Sequence, residues 1–173
     1  MRPFRFRSPA GLLVLALAGA LLSAAPAGAI RLVSWNLLNY PNSSGAVREP
    51  SYRTVLAALH PDVMVCQEMD SQAGVNQFKA NVLDQVFPGE YTAGPFIDGP
   101  DTDNAIFYRA SVVTLVSNAN FTTPPTTVRQ FSRYQLRFTG YTAPEADLWF
   151  YSFHLKASTG SANEAQRLLE CQT

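Results

Sequence analysis

Apolar residues follow two spacings along this chain. Where they come in short runs or at alternate positions they predict strands, and where they recur every three to four residues they predict helices. Ile30 to Trp35 is a first apolar run and ends at Asn36. Tyr52, Val55, Leu56 and Leu59 then form a helical stripe, with Ser51 as its N-cap and His60-Pro61 as its stop. Asp62 to Cys66 is a second strand, running into Gln67-Glu68. A second helix is capped by Ser71, carries Val75, Phe78, Val82, Leu83 and Val86, and ends at Phe87-Pro88-Gly89. Tyr91 to Phe96 reads as a short strand. Asn104 to Arg109 and Val112 to Val116 read as two strands of a hairpin, and Phe121 to Thr127 as a loop. Gln130 to Phe138 alternates strictly. One of its faces holds Arg129, Phe131, Arg133, Gln135 and Arg137, and the other holds Ser132, Tyr134, Leu136 and Phe138. Leu148 to Lys156 is a last, aromatic-rich strand that delivers His154. Ser161 and Glu164 have capping-box spacing and open a final helix, with Ala165, Leu168 and Leu169 on its inner face.

The order strand, helix, strand at residues 30 to 68 predicts two parallel neighbours joined by a right-handed crossover. Asn36 and Glu68 then lie side by side at the carboxyl ends of adjacent strands, the edge where α/β sheets bind ligands. A carboxylate and an amide carbonyl are oxygen donors and suit a hard cation such as Mg²⁺, Mn²⁺ or Ca²⁺. On spacing alone, a turn at Asn36 and a solvated strand cap at Glu68 are the commoner explanation of such a pair.

Residues 1–29 read as a signal peptide. Arg2, Arg5 and Arg7 form a basic start, Gly11 to Leu22 is apolar but short for a membrane span, and Ala27-Gly28-Ala29 is a small-residue cleavage pattern. A secreted or periplasmic protein with no stable membrane anchor after cleavage is expected. Cleavage leaves residues 30–173 as one domain. It also removes three of 13 basic residues and none of the 13 acidic ones, giving a net charge of −3. That balance argues against non-specific coating of nucleic acid and leaves open an enzyme that touches phosphate only at its site. Cys66 reads as a buried strand residue and Cys171 as a helix residue, which favours two unpaired thiols over a disulfide.

Three segments carry a family resemblance: Ser34-Trp35-Asn36, Pro61-Asp62-Val63 with Gln67-Glu68, and Phe153-His154-Leu155-Lys156-Ala157. Their order and spacing resemble those of the endonuclease/exonuclease/phosphatase superfamily, the DNase I-like proteins, over residues 30 to 173. The resemblance implies an α/β fold, a partial two-sheet sandwich truncated in its second half. It implies Glu68 as the main metal ligand, Asn36 as its neighbour, and Mg²⁺ (or Mn²⁺ or Ca²⁺) as cofactor. It also implies that His154 polarises a scissile phosphate and that an upstream acid, for which Asp103 is the candidate, orients it. Arg133 matches a substrate-phosphate arginine, although Gln135 stands where the family commonly has proline.

The family's later Gly-Asp-x-Asn and Ser-Asp-His segments, which position the nucleophile and supply the general base, do not occur in this sequence. The expectation is therefore a phosphoester hydrolase, nuclease or phosphatase, that is catalytically incomplete as it stands. Its expected partner is a phosphate-ester substrate, nucleic acid among the candidates. The competing expectation is an exported, non-catalytic metal- or anion-binding module.

Overall fold

The computed structural model describes residues 29–42, 44–122 and 129–172. The expected signal peptide, apart from Ala29, and most of the expected loop at Phe121 to Thr127 lie outside the described residues.

Two sheets stack on one another. The first has the order β1-β2-β4-β3, with β1 (Leu32–Tyr40), β2 (Val63–Met69), β3 (Tyr91–Ala93) and β4 (Asp103–Arg109). β1 and β2 are parallel, with Asn36 opposite Gln67. Helix α1 (Gly45–Leu59) makes the crossover between them, as the alternation of patterns requires. β4 runs antiparallel to both β2 and β3. The second sheet is antiparallel, with β5 (Val113–Thr122), β6 (Gln130–Phe138) and β7 (Leu148–Ser152) in that order.

The predicted hairpin at Asn104 to Val116 does not form. β4 stays in the first sheet while β5 begins the second. The turn closed by Val112 N–H donating to Arg109 O carries the chain between layers. Both strands are apolar on the side facing the other sheet, so burying Ile106 and Val113 against each other replaces edge-to-edge pairing.

Two cores result. One lies between the first sheet and the helices, where Tyr40, Tyr52, Phe78 and Phe107 surround one another with edge-on and tilted rings 5.2–6.1 Å apart. The other lies between the sheets, around Val63, Ile106, Val113, Tyr134 and Leu136. β6 is the central strand of its sheet and not an edge, and its Ser132, Tyr134 and Leu136 point inward as the alternation predicts.

Two of the helices, α1 and the final one, differ from expectation. α1 begins at Gly45, so Pro50 lies inside it and Ser51 caps nothing. The early turns are held by tertiary contacts. Gly45 packs on the Tyr40 ring, and the buried Glu49 accepts hydrogen bonds from Tyr40 Oη, Gln77 and Asn81. The buried stripe is Gly45, Glu49, Tyr52 and Leu56, leaving Val55 and Leu59 about two-fifths exposed.

α2 (Gln72–Phe78) is capped by Ser71, whose Oγ accepts from Gly74 N–H. It continues through a π turn at Lys79–Leu83, which buries Val82 and Leu83 together. α3 (Ser161–Cys171) has Gly160 at its N-cap and no side-chain cap, so the Ser161–Glu164 box is not used. Its buried residue is Glu170, which accepts from Lys156 N–H at 2.8 Å, while Leu168 and Leu169 face outward. His60 is structural as expected: it ends α1 in a left-handed conformation, stacks on Phe87 and sits 3.0 Å from Glu90.

Candidate active site

β1 and β2 both leave regular geometry where they reach the predicted edge. Leu38, Asn39 and Glu68 have φ of 52°, 51° and 59°, and the pairing register shifts beyond Asn36 and beyond Cys66. Non-glycine residues rarely occupy this left-handed region, and they do so mostly where surrounding contacts over-determine them. Strict alternation would put Glu68 on the helix-facing side with Met64 and Cys66. The left-handed turn brings its carboxylate to Asn36 instead. Asn36 Nδ2 donates to Glu68 Oε1 at 3.0 Å, and the Asn39 amide donates to Oε2 at 3.0 Å. Asn36 Oδ1 accepts from Leu38 N–H, which fixes its amide orientation.

His154 arrives from the second sheet, two residues beyond the end of β7. Its Nδ1 lies 3.5 Å from Glu68 Oε1. That is outside hydrogen-bond range, so Nδ1 is a buried ring nitrogen with no hydrogen-bond partner among the described residues. Burial lowers the imidazole pKa below its ordinary value, and the charge of Arg129 lowers it further against the opposing pull of Glu68. Both effects favour the neutral imidazole, which keeps one ring N–H to donate.

The structure thus brings Asn36, Glu68 and His154 together. Arg133 lies on the outward face of β6. Its guanidinium stacks between Phe121 and Trp149, 5.0 Å from each ring centroid. The arginine whose charge reaches His154 is Arg129, held by Asp101 through Nε at 3.2 Å. The sequence places Arg129 and Arg133 on one strand face, and the family resemblance singles out Arg133 of the two.

Asp103 is buried in the first sheet. Its Oδ2 accepts the Gly99 amide at 2.5 Å; among the described residues its Oδ1 has no hydrogen-bond partner and it makes no hydrogen bond or ion pair to His154. Burial raises its pKa, the Gly99 amide opposes that rise, and the nearby Asp98 and Asp101 add to it. The folded state then holds this proton up to a higher pH than the unfolded chain does. Stability falls as pH rises from the ordinary carboxylate range through the folded-state pKa. Asp103→Asn is expected to flatten that slope, measured as melting temperature between about pH 4 and pH 7.

Among the described residues no three His, Cys, Asp or Glu side chains converge as a metal cluster. Glu68 and Asn36 offer oxygens only. That donor set fits Mg²⁺, which commonly binds one or two carboxylates and fills its remaining positions with water and substrate phosphate. Cys66 and Cys171 are unpaired, as expected.

Two sheets with helices on the outer side of the first make this a DNase I-like α/β fold. Solved structures of that class match over most of the chain. TDP2 from D. rerio, complexed with a single-strand DNA product, matches with a TM-score of 0.62 and 22% identity over 83% of this chain and 52% of its own. The human Nocturnin catalytic domain with a bound sulfate anion gives 0.57 and 22%, over 83% and 58%. An endonuclease/exonuclease/phosphatase family protein from Bacteroides thetaiotaomicron gives 0.57 and 17%, over 83% and 56%. The chain therefore spans little more than half the length of these structures. No family model and no curated relative matches the sequence.

Proposed function

We propose that this chain belongs to an exported, divalent-metal-dependent phosphoester hydrolase and carries the metal- and phosphate-binding part of its site. One observation carries the reading: His154 and the Asn36–Glu68 pair meet from two different sheets, with His154 Nδ1, which has no hydrogen-bond partner among the described residues, 3.5 Å from the carboxylate. Glu68, steadied by Asn36 and the Asn39 amide, would hold the metal, which when bound supplies a Lewis acid for a phosphoryl oxygen. His154 donates a hydrogen bond from its ring N–H where negative charge develops on the phosphate. Arg129 adds positive charge on the same side.

Three fold neighbours support phosphate chemistry: TDP2 with its DNA product, Nocturnin with its sulfate, and ANGEL2, a 2',3'-cyclic phosphatase captured with adenosine-2',3'-vanadate. Nucleic acid is accordingly the first substrate to try. If the site is complete, purified protein with Mg²⁺ or Mn²⁺ cleaves an oligonucleotide or bis-p-nitrophenyl phosphate and stops when the metal is chelated. Saturable metal binding without turnover supports the non-catalytic binding module instead.

A further inference from the structure

Four polar side chains are buried between the sheets directly beneath the candidate site. Gln67 Nε2 donates to Ser152 Oγ at 2.9 Å and to Ser34 Oγ at 3.2 Å. Ser152 Oγ donates to Asn104 Oδ1 at 2.9 Å. Asn104 Nδ2 is shared among Gln130 O, Ser132 Oγ and Ser152 O at 2.9–3.3 Å. Gln67, Asn104, Ser132 and Ser152 are each at most 8% exposed. Burying polar groups where Val or Leu would pack is costly unless every group is satisfied, and a satisfied network specifies one arrangement.

The position of this network matters more than its existence. Gln67 immediately precedes Glu68, and Ser152 lies two residues before His154. The Gln67–Ser152 bond therefore ties together the two strands that deliver the site residues, although those strands belong to different sheets.

The geometry points to Gln67, Ser152 and Asn104 as positioning residues that set the separation of His154 from Glu68, with Ser152 as the hub. The inference rests on the proposed role of Glu68 as a metal ligand. None of the three makes a hydrogen bond or ion pair to Glu68 or His154 among the described residues, so they act through the backbone that joins them. A displacement of roughly 1 Å is enough to cost a site about a hundredfold in rate.

The test uses Mn²⁺ as a paramagnetic probe and reads the NMR linewidths of the two histidines. His60 precedes β2 and Glu68 lies near that strand's other end, about 20 Å away at strand rise, so His60 is the internal control. In the native protein, substoichiometric Mn²⁺ is expected to broaden the His154 ring protons and spare those of His60. In Ser152→Ala, at matched Mn²⁺ occupancy, His154 broadening is expected to fall about threefold, the inverse-sixth-power result of a roughly 1 Å shift. Ser152→Thr, which keeps the hydroxyl, restores it.

A merely structural role lowers the melting temperature of Ser152→Ala and leaves the broadening intact. That result overturns the inference, provided Glu68→Ala abolishes broadening and so confirms the metal site. No selective broadening in the native protein overturns the metal-site reading itself. Should Ser152→Ala fail to fold, Gln67→Met removes the same bond at similar length and is judged by the same ratio.

Discussion

Glu68→Ala is expected to abolish saturable Mn²⁺ binding and to lower any phosphodiester hydrolysis by about 10³-fold. The magnitude follows from losing several kcal/mol of charge stabilisation, at about 1.4 kcal/mol per tenfold. Glu68 is the one carboxylate held between Asn36, the Asn39 amide and His154, and no second acid converges there among the described residues. Isothermal titration with Mn²⁺ and an assay on bis-p-nitrophenyl phosphate measure the two effects separately. Stability should fall by about 1–3 kcal/mol at most, because Asn36 Nδ2 and the Asn39 backbone N–H lose their acceptor while a buried carboxylate is removed. A large stability loss with unchanged metal affinity would make Glu68 a structural residue.

The second large effect concerns the core. Phe78 is fully buried, and its ring centroid lies 5.2–5.6 Å from those of Tyr40, Tyr52 and Phe107. Phe78→Ala removes that ring from a cluster already fixed by other aromatics, so the cavity cannot collapse far. A cost of about 3–5 kcal/mol is expected, a large share of the roughly 5–15 kcal/mol that holds a domain together. By calorimetry this should appear as a melting-temperature drop on the order of 10–20 °C. The control is Leu168→Ala on the outward side of α3, 59% exposed, which should change stability by less than about 0.5 kcal/mol.

Much of the first sheet was legible. The runs at Ile30 and Asp62, separated by a helical stripe, predict a parallel pair, and β1 and β2 form it. The β4–β5 connection was not legible, because two alternating runs with a tight turn look alike whether the strands pair edge to edge or cross between layers. Pro50 marks a helix start on local grounds, yet Glu49 and Gly45 extend α1 upstream through contacts with Tyr40 that local sequence does not contain. On α3 the leucine stripe pointed inward by pattern, but Glu170 and Arg167 bind the backbone at Lys156 and turn the other face to the chain.

At the site, Asn36, Glu68 and His154 were visible through their motifs. Arg129, Ser152 and Asn104 were not. A serine or asparagine at an inward strand position carries no spacing signal, and its role exists only once both sheets are in place.

The separation along the chain of the groups that build the site bears on when it forms. The β1–α1–β2 unit closes within 38 residues, and its hydrogen bonds join positions about 30 apart. The Gln67–Ser152 bond closes a loop of 85 residues. Chain entropy must be lost before so distant a contact returns anything, and pairings of this kind slow folding. The first sheet and its helices can therefore consolidate while β7 is still searching, and Glu68 waits in a half-built pocket until His154 is delivered. Assembly of the site is expected to be a late event, set by docking of the second sheet and not by formation of the strand that carries the carboxylate.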